Sequence, residues 1–333
     1  MQCAVLSELL ETCSADAGLR DRLWQLQQQA EDVQQLQQLV CLYQEALDPI
    51  EKMLWDAGMD DQRVARYQAL FRELESHISR LPQDDRHDFI IVIPVADRPL
   101  HLDECINSVL QLCRLYHYGG MQQQGFGKLT VLIADDSAGP ENIARHQQIA
   151  QHYTEQGLQT IYFGQQQQQA LVNSLPTEQQ VHIQRIIGSA ERDSFAHKGA
   201  SITRNITYLR LQQLAAQKQR PLFYFIDSDQ EFRVSVASGN RHRDIYAINY
   251  FYQLDRIFSN TDSRVLTGKV VGDPPVSPAV MAGNFLDDVI AFLDQISAYG
   301  ADQACRFHQA TAGMDEGSYH DMGELFGFKH SRR

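Results

Sequence analysis

The sequence predicts an α/β protein in which helices cover both faces of a mainly parallel sheet, preceded by an all-α N-terminal region. Three observations lead to this fold class. Residues 1–85 show helical periodicity with almost no strand pattern. From Phe89 onward, short runs of β-branched and aromatic residues alternate with helical patterns, as in βαβ units. The chain has 333 residues, 43% of them hydrophobic, which suffices for about two domains with a substantial core.

The N-terminal region, residues 1–85, is expected to form a helical hairpin or a small bundle. Apolar residues recur every three or four positions in Leu26–Leu47 and again in Val64–Leu81. The segment Asp56–Asp61 between them, which contains Gly58, predicts a turn. Such a hairpin packs on the domain that follows or, as the alternative, forms the contact surface of a homodimer.

The second region, residues 86–333, contains the strand patterns. Strands are expected at Phe89–Val95, Leu129–Ala134, Thr160–Phe163, Leu222–Ile226 and Val265–Val271. Helices are expected at about Leu100–Tyr116, Glu141–Gln156, Ala200–Lys218, Arg243–Phe258 and Val276–Ala298. The segment Gly164–Glu178 contains a run of five glutamines and is expected to be a surface insertion without a functional role.

Composition excludes several classes of function. Lys and Arg number 29 and Asp and Glu 42, and the net charge of −13 argues against binding to nucleic acid or to an anionic membrane. The longest apolar stretches, such as Phe89–Ile93, are far shorter than the roughly 20 residues of a transmembrane helix. No basic residue precedes Arg20, so no signal peptide is expected. The six cysteines form no CxxC pair, which favours reduced, buried thiols in a cytoplasmic protein.

The strongest chemical motif follows the expected strand Leu222–Ile226, where Asp227 and Asp229 are separated by one residue. Residues i and i+2 of a strand point to the same side, so the two carboxylates can converge at the carboxyl edge of the sheet. Open α/β sheets bind ligands at that edge. Paired carboxylates suit Mn²⁺ or Mg²⁺, although acidic residues at strand ends also commonly cap loops.

Three further motifs accompany this pair. The first strand runs into Pro94–Pro99, the second ends in Asp135-Asp136-Ser137, and a helix before the Asp-x-Asp strand opens with Lys198–Asn205. Each motif also has a purely structural interpretation. Asp97 can cap a helix, Asp135 and Asp136 can form a turn, and Arg204 can be an ordinary surface residue.

Taken in this order, the motifs resemble the nucleotide-sugar-binding half of the GT-A glycosyltransferases, particularly the family-2-like group. The resemblance covers about residues 87–290 and implies a Rossmann-like sheet. Residues 86–232 would be the nucleotide-binding half and residues 233–333 the acceptor-side half. It implies a metal-dependent hexosyltransferase that moves a sugar from a UDP- or GDP-linked donor to a hydroxyl acceptor.

The resemblance also implies roles for individual residues. Those expected to line or approach the nucleotide sugar are Pro94, Val95, Asp97, Arg98, Asp135, Asp136, Lys198, Arg204 and Asp227. Asp135 or Asp136 would accept a hydrogen bond from the base. Lys198 and Arg204 would lie near the diphosphate or the sugar. Asp229, with help from Asp227, would hold Mn²⁺ or Mg²⁺.

The catalytic base is expected on the acceptor side, where the family often has a Glu-Asp pair. Asp287 and Asp288 are the preferred candidates, with Asp315-Glu316 as the alternative, and neither segment matches the family pattern. Among the histidines, His308 and His320 lie on the presumed acceptor side. His197 directly precedes the phosphate-facing helix, which makes it the better candidate for ligand contact.

Other classes of protein compete with this interpretation. A transferase-like protein that is weakly active or inactive could act through its helical N-terminal region. A nucleotidyltransferase normally has a Gly-rich basic loop after its first strand, and Pro94–Pro99 has none. Haloacid-dehalogenase-like phosphatases carry Asp-x-Asp on their first strand, whereas here it follows about the fourth.

Overall fold

A computed structural model of the chain describes residue 6 and residues 17–27, 32–122, 125–187, 195, 197–238, 241–268, 290–291 and 293–294. Residues 1–264 form one compact unit, and residues 265–333 form a second. All elements described below belong to the first unit. In the second unit, residues 290–291 and 293–294 are helical, and the rest of the helix predicted at Val276–Ala298 lies outside the described residues.

The described elements follow the predicted alternation of strands and helices. The helices are α1 (Ala17–Gln27), α2 (Val33–Ala57), α3 (Asp61–Ile78), α4 (Pro99–Tyr116), α5 (Pro140–Glu155), α6 (Gln165–Asn173), α7 (Thr177–Ile187), α8 (Ala200–Ala215) and α9 (Tyr250–Asn260). The strands are β1 (Asp88–Val95), β2 (Met121–Gln122), β3 (Gly125–Phe126), β4 (Leu129–Asp135), β5 (Gln159–Phe163), β6 (Pro221–Phe225), β7 (Val234–Ser238) and β8 (Arg241–Ile245).

Four strands form a parallel sheet in the order β5-β4-β1-β6. Val95 at the end of β1 lies opposite Asp135 at the end of β4, and Val92 lies opposite Phe225 at the end of β6. The carboxyl ends of the strands therefore share one edge. Strands β4 and β5 follow β1 in the chain and lie on one side of it. Strand β6 comes later in the chain and pairs with the other side of β1. The strand order thus reverses between β1 and β6.

Both faces of the sheet are buried. Phe89, Ile91 and Ile93 of β1 belong to one hydrophobic cluster, whereas Ile90 and Val92 belong to another. The first cluster includes buried side chains of α3 and α4, and the second includes those of α8. A strand covered on both faces reads as a continuous apolar run, as β1 does. The prediction of an α/β fold with a parallel sheet is confirmed.

Before β1, helices α2 and α3 pack against each other and contribute Tyr43 and Phe71 to the same cluster as β1. Local signals set their first residues. The side chain of Asp32 accepts a hydrogen bond from the N–H of Gln35 in a capping box, and Asp60 caps α3. Both helices lie within residues 1–85, and the all-α character of that whole region remains a prediction. The division into domains 1–85 and 86–333 and the homodimer surface remain predictions.

Two predicted segments are corrected. The helix predicted at Arg243–Phe258 is wrong at its start, because β8 pairs with β7 in an antiparallel hairpin and α9 begins only at Tyr250, capped by Asn249. In the hairpin, the backbone N–H and C=O groups of β8 form hydrogen bonds with β7 instead of within a longer helix. No strand occupies residues 265–268 of the predicted strand Val265–Val271, and its remaining residues lie outside the described ones.

The glutamine-rich segment Gly164–Glu178 is also not a bare surface insertion. It forms α6 and the start of α7, and Gln168 is completely buried. The amide nitrogen of Gln168 donates to the carbonyl oxygens of Asp135, at 2.8 Å, and Phe163, at 2.9 Å. A buried amide needs such partners, and here it ties α6 to the ends of β4 and β5. The segment therefore supports the carboxyl edge of the sheet.

The described cysteines are free thiols: Cys105 and Cys113 are buried, and Cys41 is exposed, contrary to the expectation of burial. Burial raises the pKa of the Cys105 thiol to about 12. No helix in the described parts of the chain combines the length and the apolar character that crossing a membrane requires.

A buried ion pair joins α3 to the segment that enters β1. Arg86 donates two parallel hydrogen bonds to Glu75, at 2.6 and 2.7 Å, and Glu75 is almost completely buried. The N–H of Gly119 also donates to Glu75, and the guanidinium of Arg86 lies 4.7 Å from the ring centre of Tyr118. Removing one partner of such a pair leaves an uncompensated buried charge.

We expect Arg86→Met to lower the free energy of unfolding by about 3–5 kcal/mol, because Glu75 would lose its counter-charge in the interior. Urea denaturation followed by circular dichroism measures this change. Lys52→Met is the matched control, since Lys52 pairs with Asp56 on the exposed surface of α2 and should leave stability unchanged. Equal unfolding midpoints for the two variants would contradict the role of the buried pair.

Candidate functional site

A cleft of about 450 Å³ opens at the carboxyl edge of the sheet. Its lining comes from the end of β1, from Asp136 after β4, from the first turn of α8 and from residues 227–229 after β6. It lies where the strand order reverses between β1 and β6. Open α/β sheets bind their ligands in such a crevice, and the volume falls within the usual range for small-molecule sites.

Asp227 and Asp229 both line this cleft. Their side chains are 63% and 44% exposed, whereas Ser228 between them is buried. This alternation places both carboxylates on the open side of the segment, as predicted from their spacing. A turn fixes the segment, because the N–H of Gln230 donates to the carbonyl of Asp227 at 3.1 Å.

Each of these carboxylates faces an arginine across the cleft. A guanidinium nitrogen of Arg204 lies 3.6 Å from Oδ1 of Asp227, and one of Arg98 lies 3.8 Å from Oδ2 of Asp229. Both distances exceed those of a good hydrogen bond, and all four side chains are substantially exposed. Such pairs contribute little to stability and can exchange partners readily.

The cleft offers a cation two carboxylates, those of Asp227 and Asp229. In the described portion of the chain, no group of three or more His, Cys, Asp or Glu side chains is placed to hold a metal ion. Mg²⁺ usually keeps several waters and takes one or two protein carboxylates together with phosphate oxygens of its substrate. Asp227 and Asp229 therefore fit a cation that is shared with a phosphate ligand, and do not form a protein-only metal centre.

Asp97 bridges three segments at the rim of the cleft. Its carboxylate accepts hydrogen bonds from the N–H of Gly139 at 3.1 Å and from Nδ2 of Asn142 at 2.9 Å. It also accepts one from Ala138 at 3.3 Å and one from Nε2 of His197 at 2.8 Å. Asp97 does not itself line the cleft, whereas His197 does.

These contacts correct the alternative interpretation that Asp97 caps the helix after β1. The residue before α4 is Arg98, so Asp97 does not cap the helix that follows β1. Its carboxylate lies instead at the N-terminus of the neighbouring helix α5, where backbone N–H groups and the helix dipole favour a negative charge. This capping is long-range and has no local sequence signature.

Asp97 and His197 share an uncommon backbone conformation. Their φ angles are 53° and 50°, and in the described parts of the chain the other non-glycine residue with positive φ is His117. Residues other than glycine rarely adopt this backbone conformation. It persists where the surrounding structure imposes it, and it often marks functional sites. Here the N–H of Asp97 donates to Oγ of Ser137, and the N–H of His197 donates to the carbonyl of Asp136.

Asp136 and Lys198 form a buried pair beneath the cleft. Nζ of Lys198 donates to Oδ1 of Asp136 and, at 2.8 Å, to the carbonyl of Phe195. The other oxygen of Asp136 accepts from the N–H of Gly199 at 3.0 Å. Asp136 lines the cleft, whereas the Lys198 side chain is only 1% exposed. The ammonium group therefore neutralises Asp136 and does not face the cleft.

Asp135 has a structural environment. It is buried, and its carboxylate accepts hydrogen bonds from the N–H of Ser137 at 2.9 Å and from Tyr162 at 2.8 Å. His146 contacts it at 3.1 Å. Burial opposes ionisation, but the hydrogen bonds of His146 and Ser137 outweigh it and lower the pKa of Asp135. Asp135 is the last residue of β4 and does not line the cleft.

The remaining predicted site residues divide into two groups. Pro94, Val95, Arg98 and Arg204 line the cleft, together with the two aspartates after β6. Those that lie outside the described residues are Asp287, Asp288, Asp315, Glu316, His308 and His320.

Sequence reasoning missed Thr203 and Ser228, which also line the cleft. Both lie inside motifs that were singled out, so the spacing of those motifs was the available signal. Nothing local indicated the contact between Asp97 and His197, which are 100 residues apart.

The sheet order and the helices on its two faces define an α/β protein compatible with a Rossmann-like fold. No protein-family model, curated protein or solved structure matches the chain. The function of the cleft is therefore inferred from its own residues.

The pKa of Asp97 gives a testable prediction. The hydrogen bond from Asn142, followed by those from Gly139, Ala138 and His197, lowers the pKa of Asp97 from 3.8 to about 2. Because the folded protein holds the carboxylate more strongly than the unfolded chain does, Asp97 stabilises the fold above pH 3.8, and this stability is lost as the pH falls towards 2. We expect the difference in unfolding midpoint between the wild type and Asp97→Asn to shrink over this interval. A constant difference from pH 5 to pH 2 would contradict it.

Proposed function

We propose that this chain is a GT-A-type glycosyltransferase of the hexosyltransferase kind. It binds a UDP- or GDP-linked sugar together with Mn²⁺ or Mg²⁺ in the cleft and transfers the sugar to a hydroxyl acceptor. One observation carries the proposal: Asp227 and Asp229 face an open crevice at the point where the order of a parallel sheet reverses.

Arg98 and Arg204 are the groups in the cleft best suited to the diphosphate. A guanidinium group can donate two parallel hydrogen bonds to phosphate oxygens, and both arginines are exposed in the lining. Lys198 is less suited than the sequence indicated, since its ammonium group is buried against Asp136. The N-terminus of α8, which also lines the cleft, adds a favourable dipole for an anion.

Asp227 and Asp229 would hold the divalent cation. When bound, the cation would compensate the negative charge that develops on the departing diphosphate oxygen. In this structure the two carboxylates are paired with Arg204 and Arg98. A diphosphate that draws the arginines to itself would release both carboxylates, and the total charge of the cleft would stay balanced.

Asp136 is the better of the two residues predicted to contact the base. Asp135 is enclosed by its own hydrogen bonds, whereas Asp136 reaches the cleft. A carboxylate offers about four acceptor sites, and described groups occupy two of those on Asp136. Asp136 therefore keeps the capacity to accept a hydrogen bond from the N–H of a uracil or guanine ring.

The acceptor side of the proposal rests on sequence. Asp287 or Asp288 as base, the acceptor-side half at residues 233–333, a cytoplasmic location and dimerisation through the N-terminal helices all remain predictions. A chain that binds a donor and never turns it over would instead be the inactive transferase-like protein considered as the alternative.

We expect Asp229→Asn to abolish the Mn²⁺-dependent part of UDP or GDP binding, because the amide keeps the shape of the carboxylate and loses its charge. Isothermal titration calorimetry with and without Mn²⁺ measures this effect. Asp262→Asn is the matched control, since Asp262 is exposed and does not line the cleft. If Asp229→Asn binds UDP and GDP as the wild type does in Mn²⁺, the metal assignment is wrong.

We expect Arg204→Ala to weaken binding of inorganic pyrophosphate by about 10-fold or more, since hydrogen bonds to charged groups contribute about 1.5–3 kcal/mol. The same change should strengthen binding of Mn²⁺ alone, because Asp227 loses its competing partner. Arg210→Ala, on the same helix and outside the cleft lining, is the control. Separate calorimetric titrations with pyrophosphate and with Mn²⁺ distinguish the two effects. Weaker binding of both ligands would contradict the proposal that Arg204 moves from Asp227 to the diphosphate.

A further inference from the structure

We infer that His197, oriented by Asp97, is the base that accepts the proton of the hydroxyl group attacking the donor sugar. The inference rests on the proposed function and gives it a catalytic residue within the described part of the chain. His197 is an alternative to the predicted bases Asp287 and Asp288, which lie outside that part.

One ring nitrogen of His197 is hydrogen-bonded to a described residue, and the other is not. Nε2 lies 2.8 Å from Oδ2 of Asp97 and carries a proton, because its partner is a carboxylate. Nδ1 makes no hydrogen bond to any of the described residues. The side chain is 56% exposed and lines the cleft that contains Asp227 and Asp229. In the neutral ring, Nδ1 is therefore the nitrogen able to take up a proton.

Asp97 is a well-held orienting group. Besides His197, its carboxylate accepts hydrogen bonds from the N–H groups of Gly139 and Ala138 and from the side chain of Asn142. These donors keep Asp97 ionised, so it fixes the tautomer of His197 and stabilises the imidazolium that forms. A base hydrogen-bonded to a carboxylate that is itself held in place is the arrangement used in nucleophile activation.

The backbone supports a functional origin for this pair. Both residues hold positive φ angles, and their N–H groups are fixed by Ser137 and by the carbonyl of Asp136 after β4. Conformations of this kind are maintained where the position of a side chain matters.

The step is a direct displacement at the anomeric carbon. The hydroxyl oxygen forms a bond to this carbon while its proton moves to Nδ1 of His197. The bond between the carbon and the diphosphate oxygen breaks, and its electron pair remains on that oxygen. The imidazolium then releases its proton to solvent, which restores the neutral base.

Several charged groups lie around the cleft that His197 lines. They are Asp97 and Arg98 after β1, Asp136 after β4, Lys198 and Arg204 at the start of α8, and Asp227 and Asp229 after β6. Lys198 compensates Asp136, and the two arginines compensate the two aspartates. Asp97 is thus the anion in direct contact with the ring.

Hydrolysis of nucleotide sugars tests this role, since water then serves as the acceptor. UDP-glucose and GDP-mannose are incubated with the full chain and Mn²⁺ between pH 5.5 and 8.5, the range in which histidine changes its charge. Nucleotide release is measured for the wild type, His197→Gln, Asp97→Asn and the control His182→Gln, an exposed histidine of α7. Calorimetry with UDP and GDP measures donor-site binding in each protein.

We expect His197→Gln to lower kcat by about 100-fold or more and to remove the fall in rate at low pH, with a far smaller effect on nucleotide binding. Asp97→Asn should lower kcat as well, because the amide would donate to Nε2 and leave the proton on Nδ1, and asparagine tolerates the same backbone conformation. His182→Gln should behave as the wild type.

A His197→Gln variant that retains the wild-type rate and pH profile would overturn the inference. A wild-type chain that binds UDP or GDP and releases no nucleotide would be the inactive transferase-like protein, and a wild type that binds neither nucleotide would lack the donor site. Both results would contradict the proposed function and the inference with it. An active wild type with an equally active His197→Gln variant overturns the inference alone, which separates the two failures.

Discussion

The parallel pairing of β1 with both β4 and β6 is the constraint on which the rest of the structure depends. It places Val95 opposite Asp135 and Val92 opposite Phe225, so three strands end at one edge. Burial on both faces fixes this register, since a shift of one residue would exchange the two buried faces of β1. Polar residues that are more than 100 positions apart in the chain converge at that edge as a consequence.

Charge is balanced at every level of the cleft. Deep in the site, Lys198 compensates Asp136, and at the surface the two arginines lie near the two aspartates. The buried pair is costly to break, whereas the exposed pairs are loose and can exchange partners. The proposed binding of a diphosphate together with a cation depends on this difference between the buried pair and the exposed pairs.

Local patterns predicted most strands and helices of the sheet region to within a few residues, because buried strands and amphipathic helices have periodicities of their own. The failures have a common cause. The sequence showed Gln168 as one glutamine of a polar run. In the structure its side-chain amide donates hydrogen bonds to the last residues of β4 and β5, Asp135 and Phe163. The sequence indicated Lys198 as a phosphate ligand. In the structure its ammonium group instead forms an ion pair with Asp136, 62 positions away in the chain.

The sequence by itself determined the alternation of strands and helices and the placement of Asp227 and Asp229 on one side of their segment, since both follow from local geometry. The tertiary structure alone decided which charges meet: Asp97 with His197, Arg98 with Asp229 and Lys198 with Asp136. Those pairings depend on strand order and helix packing. Side chains attached to different elements interact only after the buried faces of those elements have fixed their positions.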